Sequence, residues 1–209
     1  MLIEKETLDQ YESRYRARLI NSLAGPKQVV LVGTKSADGR SNLAIFNSLI
    51  HLGANPPLWG LVFRPDVVQR DTFKNILETG QYTLNYVNTG DFEKAHQTSA
   101  KYAPDVSEFG VCGFTETYVG DFSAPFVGEA LVKIGMVFEQ KIDLTINNTL
   151  LIIGRIEQID LNENWVEADG FVHLEQANTL ACAGLDAYYK TELIDRLSYA
   201  STEKWPEKL

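Results

Sequence analysis

The sequence predicts a mainly antiparallel β-barrel with helices inserted between its strands and flanking them. Apolar runs of strand length recur along the chain at Gln28 to Thr34, Asn42 to Phe46, Leu58 to Phe63, Tyr82 to Val87, Ala130 to Phe138 and Leu150 to Ile159. Turn residues separate them, most clearly Asp38-Gly39 and Asn147-Asn148. In the fifth run Ala130, Val132, Ile134, Met136 and Phe138 alternate with Lys133, Gly135 and Glu139, the period of two of a half-buried antiparallel strand. Strands joined by tight turns, with helices inserted, fit a barrel better than a doubly wound sheet.

From the N-terminus, Glu4 to Leu23 reads as one amphipathic helix that stops at Gly25-Pro26, with Tyr11, Tyr15, Arg18 and Leu19 at helical spacing. It is expected to pack on the barrel or on a partner subunit. Gln28 to Thr34 is continuously apolar until its end, which predicts burial on both faces. Asp-Gly between apolar runs predicts a hairpin, because both turn positions favour positive φ. Asn55-Pro56-Pro57 fixes φ and removes donors, so an extended segment outside the ladder is expected before the Leu58 to Phe63 strand. Arg64-Pro65 ends that strand, and a loop over Val67 to Gln69 leads to Arg70-Asp71-Thr72.

A helix from Phe73 to Glu78 follows, ending at Gly80. Asp71 is expected to cap it, because a carboxylate beside a bound anion is unfavourable; Thr72 and Asn75 are left to face a ligand. Phe92 to Tyr102 reads as a helix stopped by Pro104, and Ser107 to Phe114 as a short helix or loop. His96 is read as a surface or packing residue. Thr191 to Leu209 is charged and partly helical in pattern. The expected organisation is a single domain, with an N-terminal extension (1–25), a core (26–164) and a C-terminal segment (165–209).

Composition narrows the function. The 209 residues carry a formal net charge of -9, which argues against nucleic acid or an anionic membrane as the main partner. Cys112 and Cys182 have no metal-like spacing and read as buried thiols, as in a reducing compartment. No secretory signal or bilayer-length apolar stretch is visible, so the expected location is the cytoplasm. No Ser–His–Asp set or carboxylate dyad is evident. What stands out is a local cluster in an acidic chain: Arg40, Arg64, Arg70 and Lys74 interleaved with Ser41, Asn42, Ser48, Thr72 and Asn75. Strand ends and a helix start with spare N–H donors suit an anionic phosphate.

The order Asp38-Gly39, Asn42, Ser48, Asn55-Pro56-Pro57, Leu58 to Phe63 and Thr72-Phe73-Lys74-Asn75-Ile76 resembles the flavin reductase-like family, the FMN-binding split barrels. Glu78 to Asn85 and Gly154-Arg155-Ile156 continue the likeness, which extends from about Pro26 to Tyr189. Glu108 to Phe114 is similar to a variable family segment that covers the ligand. The resemblance implies a Greek-key split barrel, a homodimer, FMN (or FAD) as cofactor and NAD(P)H as substrate. It implies Asn42, Leu43, Ala44, Ser48, Leu49, Ile50, Arg64, Arg70, Thr72 and Asn75 as cofactor-binding residues. Backbone N–H groups from Asn42 to Ser48 would then stabilise the reduced flavin, with no side chain acting as acid or base.

Two departures bear on this. Members that use NAD(P)H often carry a His where this chain has Ile146-Asn147-Asn148-Thr149, and the Arg usual in the closing step is replaced around Cys182-Ala183. Tyr188 or Tyr189 in that step packs in the core, on a partner or on the flavin. The alternatives are an FMN protein reduced by a protein partner, and a non-catalytic dimeric module of the same fold.

Overall fold

The computed structural model describes residues 1–64, 70–103 and 105–209; the expected loop from Val67 to Gln69, Pro65 and the helix-stopping Pro104 lie outside the described residues. The chain opens with two helices, α1 (Lys5–Gln10) and α2 (Ser13–Leu23), instead of the single one expected. The break falls where Tyr11 turns to an extended conformation and the Glu12 carboxylate accepts the Tyr15 amide proton at 3.0 Å, giving α2 its own N-cap. Neither helix buries a residue.

The strands are β1 (Lys27–Gln28), β2 (Val30–Lys35), β3 (Ser41–Phe46), β4 (Leu49–Ala54), β5 (Pro57–Phe63), β6 (Gln81–Tyr86), β7 (Glu116–Thr117), β8 (Phe126–Val127), β9 (Lys133–Leu144), β10 (Thr149–Asp160), β11 (Leu180–Ala183) and β12 (Ala187–Lys190). Between them stand α3 (Asp71–Thr79), α4 (Phe92–Gln97) and α5 (Glu108–Cys112). Seven strands form one sheet in the order β3-β2-β6-β9-β10-β5-β4. Its two outermost strands, β3 and β4, are consecutive in the chain, and only Asn47 and Ser48 separate them. A sheet whose edges are joined by two residues must roll up, and the result is a barrel split along the β3–β4 seam. At the seam the Val62 amide donates to the Ser48 carbonyl at 3.3 Å, and the Ser48 hydroxyl donates back to the Val62 carbonyl at 2.8 Å.

The apolar run of β2 is buried on both faces, as its composition predicts. Val30 and Val32 point into the barrel with Phe63, Tyr82, Leu84, Met136 and Ile152. Val29 and Leu31 point outward into a second cluster with Leu43, Phe109, Cys112, Phe114, Leu180 and Cys182. That second core lies beneath α4, α5 and the C-terminal hairpin. β1 joins β11 in the pairing Lys27↔Cys182, so the C-terminal hairpin shares a small sheet with the start of the core.

Four local expectations are corrected. The hairpin turn has positive φ at Gly39 (90°) but not at Asp38; it is a three-residue loop in which the Gly39 amide donates to the Ser36 carbonyl and the Ser36 amide to the Arg40 carbonyl. Asn55-Pro56 is the tip of a β4–β5 hairpin, with Ala54 opposite Pro57 and a cis Asn55–Pro56 bond, rather than an extended spacer. Strand β4 was hidden in that reading because it is an edge strand with no apolar alternation. The predicted helix over Phe92 to Tyr102 ends at Gln97, in turns capped by Thr98 donating to the Ala95 carbonyl at 2.8 Å. The tail after Lys190 holds no helix, only a bridge between Leu197 and Lys208.

Candidate functional site

Because β3 is an outermost strand, one of its edges has no strand beside it; α4 and α5 lie against it. A cleft of ≈ 1190 Å³ follows this side of the barrel. Its walls are Asn42, Ala44, Ile45 and Phe46 of β3, the linkers Asn47 and Ser48, the start of α3, the segment from Thr98 to Tyr102, Glu108, and the β11–β12 turn from Cys182 to Tyr188.

One corner is a buried polar knot. Thr34 continues the barrel-facing side of Val30 and Val32, so its hydroxyl sits at the barrel end, where it accepts the Asn75 amide at 3.1 Å and the Asn42 amide at 3.2 Å. Asn42 Nδ2 also donates to Thr72 Oγ1 at 2.9 Å. Thr72 and Asn75 are 4% and 3% exposed, because Ile76 on the same face of α3 is driven into the barrel core. The knot ties the hairpin to α3, so the start of α3 abuts β3.

The expected cap is corrected. Arg70 is the N-cap of α3, its side chain makes no cap hydrogen bond, and Asp71 is the first helical residue. Among the described residues the amides at the start of α3 are therefore not taken by a capping side chain. Arg40, Arg64, Arg70 and Lys74 all line the cleft. Arg40 pairs with Asp38 at 3.0 Å and Lys74 with Glu78 at 3.7 Å, both at exposed positions where a pair adds little stability.

Of the ten residues anticipated for the cofactor, Asn42, Ala44, Ser48, Arg64, Arg70, Thr72 and Asn75 line the cleft. Leu43 turns its side chain into the second core, and its amide donates to Glu108 Oε2 at 3.1 Å. Leu49 packs against the barrel core, and Ile50 is exposed on β4. Reading from sequence missed Thr34, and gave no side-chain role to Asn47 or Glu108 and no role to Gly184, although it placed their segments near the ligand. Thr34 had a signal, since it keeps the parity of Val30 and Val32. The others arrive from distant segments: Asn47 Nδ2 donates to the Gly184 carbonyl at 2.7 Å and fixes the C-terminal turn to the seam.

The far wall carries His96 and Tyr188. His96 Nδ1 lies 2.9 Å from the Tyr188 hydroxyl, and Phe92 packs on the Tyr188 ring at 5.5 Å. Burial pushes the Tyr188 phenol up to about 12, so it stays protonated as a neutral hydrogen-bonding group. Glu108 is also pushed above the usual carboxylate range, first by burial, against the lowering effect of the Leu43 amide. Cys182 borders the same wall as a buried free thiol.

Fold and site together define an antiparallel split β-barrel with a cation-lined cleft along its open seam. The chain belongs to the flavin reductase-like domain family, which it matches over residues 23–179. A Shewanella frigidimarina protein with a split barrel domain, assigned as a flavin reductase, is 46% identical and superposes with a TM-score of 0.92 over 96% of this chain and 100% of that one. Nitrilotriacetate monooxygenase component B from Bacillus cereus is 23% identical, with a TM-score of 0.82 over 94% of this chain and 98% of that one. An FMN-binding protein from Thermus thermophilus is 18% identical, with a TM-score of 0.66 over 81% and 88%. The last two likenesses show the fold alone.

Proposed function

We propose that the cleft holds FMN and that the protein is an NAD(P)H-dependent flavin reductase-like oxidoreductase working as a homodimer in the cytoplasm. The observation that carries this is the start of α3: amides that no side chain caps among the described residues, beside the Asn42–Thr72 knot and facing a cleft whose lining includes Arg40, Arg64, Arg70 and Lys74. Such a corner suits a phosphate dianion, through N–H donors and local positive charge. The family and the FMN-binding protein of the same fold favour FMN over FAD. Arg70, Arg64 and the α3 amides would hold the phosphate; Ala44 to Ser48 would line the ring. Ser48 has given its proton to Val62, so it offers the ring lone pairs.

Bound flavin would supply hydride chemistry at its ring, while the chain positions it and excludes water. The two cysteines are buried and free, in keeping with a reducing compartment. Among the described residues no helix is long and apolar enough to cross a membrane.

One observation favours the second reading, an FMN protein reduced by another protein. In the turn before β10, Asn147 Oδ1 accepts the Thr149 amide at 3.1 Å, so the stretch Ile146 to Thr149, where NAD(P)H-using relatives often have a His, is engaged in its own turn. An absorbance spectrum of the protein as isolated, followed by anaerobic NADH titration, tests both. Flavin bands that bleach support the first reading, and flavin bands that persist support the second. A colourless protein that takes up neither FMN nor FAD overturns both.

A further inference from the structure

Glu108 occupies an unusual place. Its carboxylate is half-buried, borders the cleft and accepts the Leu43 amide at 3.1 Å. Leu43 is the next residue after Asn42, whose side chain holds Thr72 at the phosphate corner. A carboxylate therefore stands at the side of a site proposed to take a dianion. Asp71 on α3 disfavours a negative charge on Glu108, and the Glu108 charge in turn helps to keep the Tyr102 hydroxyl and the Cys112 thiol protonated. The cations Lys27, Arg40, Arg64, Arg70, Lys74 and Lys101 line the same cleft.

We propose that Glu108 is a proton-linked determinant of flavin affinity: FMN entering the cleft drives a proton onto Glu108, so the protein discriminates by pH between phosphorylated flavin and its phosphate-free form. This rests on the reading that the cleft holds FMN. The physics is like-charge repulsion in a partly desolvated site, which raises the carboxyl pKa when the phosphate arrives. Proton uptake means that FMN binding weakens as pH rises. Riboflavin has the same ring but no phosphate, so its binding lacks this linkage. The Leu43 contact alone would be a structural pin for α5, and it predicts no difference between the two flavins.

The test is calorimetric binding of FMN and of riboflavin to the flavin-free full chain, in buffers of different ionisation enthalpy, from about pH 6 to about pH 8. Glu108→Gln keeps an acceptor for Leu43 and removes the charge. The FMN phosphate itself titrates near about pH 6, and the variant controls for that. The expected result is proton uptake with FMN in excess of that with riboflavin, removed in Glu108→Gln. That variant should bind FMN about tenfold more tightly near neutral pH, with riboflavin affinity unchanged. Equal proton uptake by the wild-type chain and by Glu108→Gln on binding FMN overturns the inference, and so does a wild-type minus Glu108→Gln difference that is as large with riboflavin as with FMN. If riboflavin and FMN both fail to bind, the reading of the cleft fails, and the inference with it.

Discussion

Thr34, Asn42, Thr72 and Asn75 show how a few hydroxyl and amide groups fix the corner of this cleft. Each is small, and the knot satisfies groups that would otherwise be buried without partners. Thr72→Val keeps the shape and removes the acceptor of Asn42. It should destabilise the chain by about 1–3 kcal/mol in denaturant unfolding, whereas Thr72→Ser should lose less, because the hydroxyl remains. Unchanged stability in the valine variant would remove Thr72 from the knot. In the proposed reading Arg70, which lines the cleft, serves the ligand rather than the fold. Arg70→Ala should weaken FMN binding by roughly tenfold or more, in line with about 1.5–3 kcal/mol for a charged hydrogen bond, and leave riboflavin binding nearly unchanged. Equal losses for both flavins would place Arg70 away from the phosphate.

Among the elements, β10 shows a close approach that only glycine permits. A Cβ on Gly154 would overlap the Tyr82 hydroxyl, which is buried and has no hydrogen-bond partner among the described residues. Gly154→Ala should therefore cost about 1–3 kcal/mol by overpacking. Tyr82→Phe removes an unpaired buried hydroxyl, so alone it should be neutral or stabilising, and in the Gly154→Ala background it should recover most of the loss. A double variant as unstable as the single one would show that the backbone rather than the phenol resists the methyl group. The elements also show where local reading stops. The strand Tyr82 to Val87 and the helix around Phe73 to Glu78 were legible from period and punctuation. The cap of that helix was not, because burial of Thr72 and Ile76 sets the start of the turn instead of Asp71. Strand β4 escaped because its residues are half-exposed, and its pairing with β5 is what defines it.

On the scale of the whole molecule, the chain ends remain uncovered. Helices α1 and α2 bury nothing, and Ile194, Tyr199 and Trp205 in the tail are almost fully exposed. The proposed homodimer gives these surfaces a partner. Sedimentation should return about twice the 23.4 kDa of one chain, and removal of residues 191–209 should shift it toward the monomer. A wild-type chain that sediments as a monomer would dismiss the proposal. The tail is tied down by a charged cluster: His173 contacts Glu175 at 2.6 Å and Glu167 at 2.5 Å, while Arg196 pairs with Glu167 and Asp169 and lies over Phe171 at 4.2 Å. Hydrogen bonds to Glu175 and then Glu167 hold the His173 pKa above the ordinary histidine value. A raised folded pKa gives stability that is present below the unfolded value, about 6.5, and is lost as pH rises through the folded value. Thermal midpoints of the wild type should therefore fall relative to His173→Gln as pH climbs above neutral. Parallel curves would show that His173 contributes no linkage.

The sequence by itself determined the β-rich class, the first hairpin, the two-sided burial of β2 and the polar set around Asn42, Thr72 and Asn75, because period, turn residues and side-chain chemistry are local properties. Only the tertiary structure decided that the sheet closes at Asn47-Ser48, that Gly184 and Tyr188 reach the same cleft as Asn42, and that Glu108 takes the edge amide of Leu43. Those outcomes depend on contacts between residues as much as 137 positions apart. What brings them together is the burial of two shared apolar cores, and no local pattern encodes it.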